Sequence, residues 1–360
     1  MKYDSPLKLR CERVWRTYLG GALLDEFHGI SPACDTHFPE DWIMSVVRAV
    51  NAGREDVVEG LNWAADEDCT LKDYIAADPA AALGAEHVAR WGATPAVLLK
   101  VIDAAERLGV QVHPDKPQAL KFFNSPFGKT ECWHILGGRT LDGEAPCVYM
   151  GFKQGVTRAV WRDVFDRQDI AAMLDMLHRF EVHPGDTFLV NGGVPHAIGK
   201  GCLLMEIQEP SDYTLRTEKV TPQGFAISER QCHYGIGFDA MFDCFDYTGT
   251  SAEEGLRRWR IPAVIREKTP DFMRRTLVSA AETPCFALER FDVAGTCPFT
   301  SAGRFFGLYV AAGTGVLRSA AGDVPLTRGD QFFVPAASAP FALAASAPLV
   351  VFRAFGPDKC

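Results

Sequence analysis

Two textures of apolar and polar residues alternate along the 360 residues. Short β-branched and aromatic runs, bounded by Gly, Pro, Asn or Asp, predict strands: Ala96 to Ile102, Val110 to His113, Thr187 to Val190 and Phe305 to Val310. Segments richer in Ala, Leu, Arg and Asp predict helices at Asp78 to Trp91, Arg158 to Phe180 and Ala252 to Trp259. In the second of these, Val160, Trp161, Val164, Phe165, Ile170, Met173, Leu174 and Leu177 recur mostly at three to four residues, one apolar stripe broken near Asp166 to Asp169. Helices therefore group between strands instead of alternating with them, which argues against a doubly wound parallel sheet. No Gly-x-Gly-x-x-Gly fingerprint and no phosphate-binding Gly-x-x-x-x-Gly-Lys-Ser/Thr loop occurs, so a nucleotide fold is not expected.

A weak internal repeat sharpens the picture. Residues 185 to 196 read Gly-Asp-Thr-Phe-Leu-Val-Asn-Gly-Gly-Val-Pro-His, and residues 329 to 340 read Gly-Asp-Gln-Phe-Phe-Val-Pro-Ala-Ala-Ser-Ala-Pro. Each has Gly-Asp, an apolar strand and a small-residue corner at the same offset, as where a jelly-roll barrel turns from strand to strand. Two β-barrels are implied, and His196 in the first copy stands where the second has Pro340.

Composition narrows the function. Apolar residues make up 47% and charged residues 23%, ordinary globular values. A net charge of −9 without a basic block speaks against a nucleic-acid or anionic-membrane surface and favours a small-molecule or protein partner. The first ten residues lack the uninterrupted apolar core of a signal peptide, and no run reaches the ~18 apolar residues of a membrane span, so a cytoplasmic location is expected. Eleven scattered cysteines, with no Cys-x-x-Cys pair, read as reduced and mostly buried thiols. Any metal site is then expected from His, carboxylates and amides.

Such a set is present. In a strand, residues i and i+2 share a face, so Gln111 and His113 project together, and Pro114 ends the strand. Glu131 shares a face with Lys129, and His196 sits at the corner of the first repeat. Two imidazoles, a carboxylate and an amide oxygen suit a divalent ion such as Zn²⁺ with a position left for water or substrate. His28, His37, His87, His134, His178, His183 and His233 are read as structural. A second constellation runs from Glu206 to Arg216; Pro210 argues against a helix, so Glu206 is read as lying on an inward strand face, with Asp212 and Arg216 on a loop at the pocket.

With these motifs in hand, the chain resembles the type I mannose-6-phosphate isomerases, zinc enzymes built on cupin barrels. The resemblance runs through Glu12 to Trp15, Asp41 to Ser45, Leu98 to Ile102, Gln111 to Asp115, Lys129 to Trp133, Val194 to Gly199 and Glu206 to Arg216, and it is their order and spacing that make it specific. It implies a mainly β fold with helical insertions at about 63–92 and 157–180. It also implies two cupin barrels, a catalytic, metal-binding one within 1–262 and a degenerate one within 263–360. It implies one Zn²⁺ per chain on Gln111, His113, Glu131 and His196, a small-molecule sugar phosphate as partner, and interconversion of mannose 6-phosphate and fructose 6-phosphate through a cis-enediol. Arg216, Lys129, Glu206 and Asp212 are the implied catalytic residues, with Asp212 fixing Arg216, and Lys100 and Lys116 face the substrate. Gly109 departs from the family, whose members commonly carry Ser there as a phosphate contact, and Ile198 stands where some have Tyr. The rival readings are a cupin isomerase for another sugar, a metal oxygenase, and a non-catalytic sugar-binding cupin.

Overall fold

The computed structural model describes residues 1–357 apart from 52 and 55. It is mainly β, with three antiparallel sheets. A six-stranded sheet runs in the order Glu12–Val14, Glu40–Ile43, Leu98–Asp103, Cys202–Gln208, Glu131–Gly138 and Thr187–Val190. A five-stranded sheet runs Leu215–Arg216, Gln111–Val112, His196–Ile198, Cys147–Phe152 and Leu177–Glu181. A nine-stranded sheet holds the rest of the chain from Val264 onward and takes in Leu7–Leu9, which pairs with Gln331–Val334.

Strand alternation explains why the six-stranded sheet is buried on both faces. From Leu98–Asp103, Leu99 and Val101 point one way, as do Met205 and Ile207 from Cys202–Gln208, into a core shared with Leu277, Phe286, Phe352 and Ala354 of the C-terminal half. Ile102, Leu204, Trp133 and Ile135 point the other way, toward Val148, Met150 and Ile198 of the five-stranded sheet. The strands are therefore continuously apolar except where a polar side chain faces the second layer. The outer face of the five-stranded sheet buries Val110, Val112 and Ala197 against Trp161, Phe165 and Met173 of the helical insertion.

Three expectations about local structure change. Asp78 to Trp91 is split into Pro79–Leu83 and Ala85–Trp91 by Gly84, which sits at φ 91°. The insertion at 63–92 becomes helical only from Leu71, where Thr70 caps Leu71–Ala77. Within 157–180 the helices are Arg158–Arg167 and Ile170–Asp175, and Leu177–Glu181 is a strand paired with Cys147–Phe152. Its exposed Arg179 and Glu181 alternate with buried His178 and Phe180, a period of two that the preceding helical stripe obscures.

The repeat is real in three dimensions. Gly185 and Gly329 both have positive φ, 98° and 92°. Asp186 and Asp330 each accept a hydrogen bond at 2.9 Å from the backbone N–H three residues earlier, and each precedes a four-residue buried strand. The interior reached by the second copy is filled by Phe291, Phe299, Phe306, Leu308 and Phe341. Among the described residues the C-terminal half contains no cluster of metal-ligating side chains.

Candidate metal centre and active site

The site forms where the two layers of the N-terminal half approach. Pro114 follows His113 and denies the strand a further donor, and Asp115 then caps Lys116–Phe123 in a reciprocal capping box with Gln118. Val110 and Val112 anchor this stretch in the outer core, so Gln111 and His113 face inward. His196 lies opposite Gln111 in register, which sets both beside His113. Glu131 comes from the facing sheet, with Cys132 turned the other way into the core shared with the C-terminal half.

Hydrogen bonding aims the imidazoles. His113 Nδ1 lies 2.8 Å from the Tyr213 carbonyl and His196 Nδ1 lies 2.9 Å from the Val194 carbonyl, so both donate through Nδ1 and turn the Nε2 lone pair inward. Those Nε2 atoms stand 3.2 and 3.3 Å from the two carboxylate oxygens of Glu131. Among the described residues no group donates a hydrogen bond to either Glu131 oxygen, although the residue is 0% exposed. The Gln111 amide lies 3.2 Å from His196 Nε2, and a half-turn of the amide presents its oxygen. Burial, reinforced by the Lys129 ammonium, pushes His113 down to about 3, and burial lowers His196 as well. Burial works to raise Glu131, but Lys129 and the two imidazoles outweigh it and hold the carboxylate well below its usual range. Neutral imidazoles beside an ionised, un-hydrogen-bonded carboxylate are the protonation states a divalent metal requires, so these residues fit such an ion.

A cavity of about 880 Å³ opens from this cluster. Among the described residues, seven Lys or Arg and four carboxylates line it, a local excess of positive charge in a chain of net −9. Lys129 Nζ lies 3.0 Å from His113 Nε2 and 3.4 Å from a Glu131 oxygen. Lys100, Glu206 and Trp133 form one cross-strand row: Lys100 Nζ is 3.0 Å from Glu206, whose other oxygen accepts the Trp133 indole N–H at 3.1 Å. Burial raises the Glu206 carboxyl against the opposing effect of Lys100. Arg216, opposite Gln111 in register, donates to the carbonyls of Thr214 and Gln231 and makes no ion pair among the described residues.

The structure also brings in groups that sequence reasoning passed over. Glu40 accepts from the Tyr18 hydroxyl and the Trp42 indole, both at 2.7 Å, and pairs with Arg16 at 2.9 Å. The signal for it was alternation in Glu40-Asp-Trp-Ile43, but Arg16 and Tyr18 reach it from the segment that follows Glu12–Val14, the strand paired with its own. Burial opposes the charge on Glu40, yet Arg16, Lys100 and the Trp42 hydrogen bond hold it down to about 2. With an unfolded carboxyl near ~4.3, the stabilisation is complete above that pH and is lost as pH falls toward 2. Glu40→Gln is therefore expected to be less stable than the native chain at pH 7 by roughly 2–3 kcal/mol. Denaturant melts should show that gap closing between pH 4.5 and 2.

Two expectations are corrected. Lys116 does not line the cavity; as the first residue of its helix it reaches Glu209 at 3.6 Å and stacks over Trp91. Asp212 lines the cavity but does not fix Arg216 by an ion pair: its charge is felt by Arg16 and Lys100, and its carbonyl accepts from Tyr234. Gln111, His113, Glu131, His196, Lys129, Glu206, Lys100 and Arg216 are brought together.

Residues 277–353 match the family model for the mannose-6-phosphate isomerase cupin domain. The chain is 27% identical over 273 residues to mannose-6-phosphate isomerase ManA of Bacillus subtilis, covering 71% of this chain and 74% of that protein. It is also 27% identical to mannose-6-phosphate isomerase of Streptococcus mutans, over 66% of this chain and 68% of the relative. The crystal structure of the Bacillus subtilis mannose 6-phosphate isomerase superposes with a TM-score of 0.74 at 22% identity, over 98% of this chain and 99% of that one. A mannose 6-phosphate isomerase solved with zinc and yttrium superposes at 0.71 and 16% identity, over 99% of this chain and 100% of the other. The cupin-type fold follows from these superpositions, and no helix among the described residues is long and apolar enough to cross a membrane. Over most of its length the chain is similar to mannose-6-phosphate isomerases, and its C-terminal part matches the cupin domain of that family.

Proposed function

We propose that this chain is a zinc-dependent aldose–ketose isomerase that interconverts mannose 6-phosphate and fructose 6-phosphate. The observation that carries the reading is the convergence of two Nε2 lone pairs and the Glu131 carboxylate beside a cation-lined cavity whose wall includes Gln111 and Lys129. Gln111, His113, Glu131 and His196 would hold the ion, which when bound supplies Lewis-acid stabilisation for oxyanion character on the sugar. Aldose–ketose exchange moves one proton from C2 to C1 through a cis-enediol and a second from O2 to O1. In this reading Glu206 takes the proton from C2 and returns it to C1, and its burial suits a base that must hold a proton between those steps. Lys129 and Arg216 set fixed positive charge beside the enediol oxygens, and Lys100 holds Glu206 in place while facing the substrate. Incubating mannose 6-phosphate with zinc-loaded enzyme in D₂O tests the route. Proton transfer predicts partial deuterium at C1 of fructose 6-phosphate, in competition with direct return of the C2 proton by the buried Glu206, and a Glu206→Gln variant that isomerises at the native rate contradicts this route.

Gly109 bears on the phosphate. A Cβ there would meet only the Glu218 side chain, at 3.8 to 4.0 Å, and Glu218 is tied to Arg107 at 2.6 and 2.9 Å. Gly109→Ser is therefore expected to fold normally and, by adding a hydroxyl at the cavity wall, to lower KM for mannose 6-phosphate but not for mannose. Steady-state kinetics on both sugars check it.

A further inference from the structure

A second set of metal-ligating atoms lies outside the catalytic cavity, on the opposite face of the strand that carries Glu40. Glu40 and Trp42 point to the cavity side, so Asp41 points toward the C-terminal half, where it is 0% exposed. His28 Nε2 lies 2.6 Å from Asp41 Oδ2, and the same nitrogen lies 3.3 Å from the sulfur of Cys11. A proton relay would use the two ring nitrogens separately; here sulfur, nitrogen and oxygen converge on one region, all within 4.8 Å of one another. Gly329, the corner glycine of the second repeat copy, closes this region. A Cβ there would come within 2.5 Å of His28 Nδ1.

A second observation points to a missing partner. Among the described residues the Tyr309 hydroxyl, 0% exposed, has no hydrogen-bond partner, and Asp41 and Cys11 are the titratable groups that act on it most strongly. Gln331, opposite Tyr309 in register and also fully buried, has no partner for either amide atom among the described residues. Arg13 approaches the other Asp41 oxygen at 3.4 Å but is anchored by Asp25, Phe38 and Gly21, which leaves Oδ2 facing His28 and Cys11.

We propose that Cys11, His28 and Asp41 form a second, structural divalent-metal site at the seam between the two halves, with Zn²⁺ as the natural ion and water or the Tyr309 hydroxyl completing it. Thiolate, imidazole and carboxylate are the donor types of tetrahedral zinc. Such a centre needs roughly 3.5 Å between sulfur and nitrogen, the separation already present, and about 3.3 Å between nitrogen and oxygen, which a small turn of the part-exposed His28 ring provides. The thiolate and carboxylate charges balance the ion. This revises the expectation that cysteines take no part in metal binding and that His28 is merely structural. The site would clip the N-terminal segment and the Glu40–Ile43 strand onto the C-terminal half, beside the pairing of Leu7–Leu9 with Gln331–Val334.

Cobalt titration of chelator-stripped protein tests the site independently of catalysis, because the catalytic cluster offers no thiolate. The expected result is a thiolate-to-cobalt charge-transfer band in the near ultraviolet, together with one more metal equivalent than Cys11→Ser binds. The band should vanish in Cys11→Ser and in His28→Gln while isomerase turnover persists. A wild-type titration without that band, or a band that survives Cys11→Ser, overturns the proposal. A band that persists in Glu131→Gln supports the seam site even if the catalytic reading fails.

Discussion

Glu131→Gln is expected to strip the catalytic metal and lower turnover by about 10³-fold or more, while leaving a folded protein. Among the described residues the carboxylate is the only negative group within contact of both inward Nε2 lone pairs, and a neutral amide cannot balance a dication among imidazoles. Loss of fold is not expected, because neither carboxylate oxygen accepts a hydrogen bond whose loss would strand a donor. The nearby charge left behind, Lys129, can relax into the cavity it lines. Metal analysis of the purified variant, with circular dichroism for the fold, separates these effects. A variant that keeps both metal and activity contradicts the ligand assignment.

Arg216→Ala is the second large effect, an expected loss of roughly 10²–10³ in kcat with metal content unchanged. The guanidinium sits in register beside Gln111, donates to the carbonyls of Thr214 and Gln231 and makes no ion pair among the described residues, which leaves its charge for substrate. Arg216→Lys keeps the charge but not the two-pronged geometry and is expected to recover only part of the rate. Added guanidinium should partly rescue Arg216→Ala, a response that a purely structural role would not give. Equal kcat in the native and Arg216→Ala enzymes would remove Arg216 from the chemistry.

What the chain discloses by itself follows from the range of the interactions. Gln111, His113 and the Lys129 to Glu131 pair were legible because strand alternation places i and i+2 together, and His196 because a repeated corner marks its position. Lys116 was misjudged because a helix begins at that residue, and the capped first turn sends its side chain to Glu209 and Trp91. Asp212 and Arg216 read as a pair four residues apart, but the intervening loop gives each different neighbours. Glu40 with Arg16, and Cys11 with His28 and Asp41, depend on pairing between Glu12–Val14 and Glu40–Ile43. No local periodicity announces that pairing. Leu177–Glu181 was hidden by the helical stripe before it and becomes a strand only because Cys147–Phe152 offers a partner edge.

The central claim, that the buried Gln111, His113, Glu131 and His196 cluster holds the metal of a sugar-phosphate isomerase, is tested most directly by a coupled assay of mannose 6-phosphate conversion. The assay is run on native, chelator-treated and zinc-restored protein. The account predicts activity that disappears with the metal, returns with zinc and is much weaker on unphosphorylated mannose. Zinc-loaded protein that leaves mannose 6-phosphate unchanged, or chelated protein that converts it at the native rate, would contradict it.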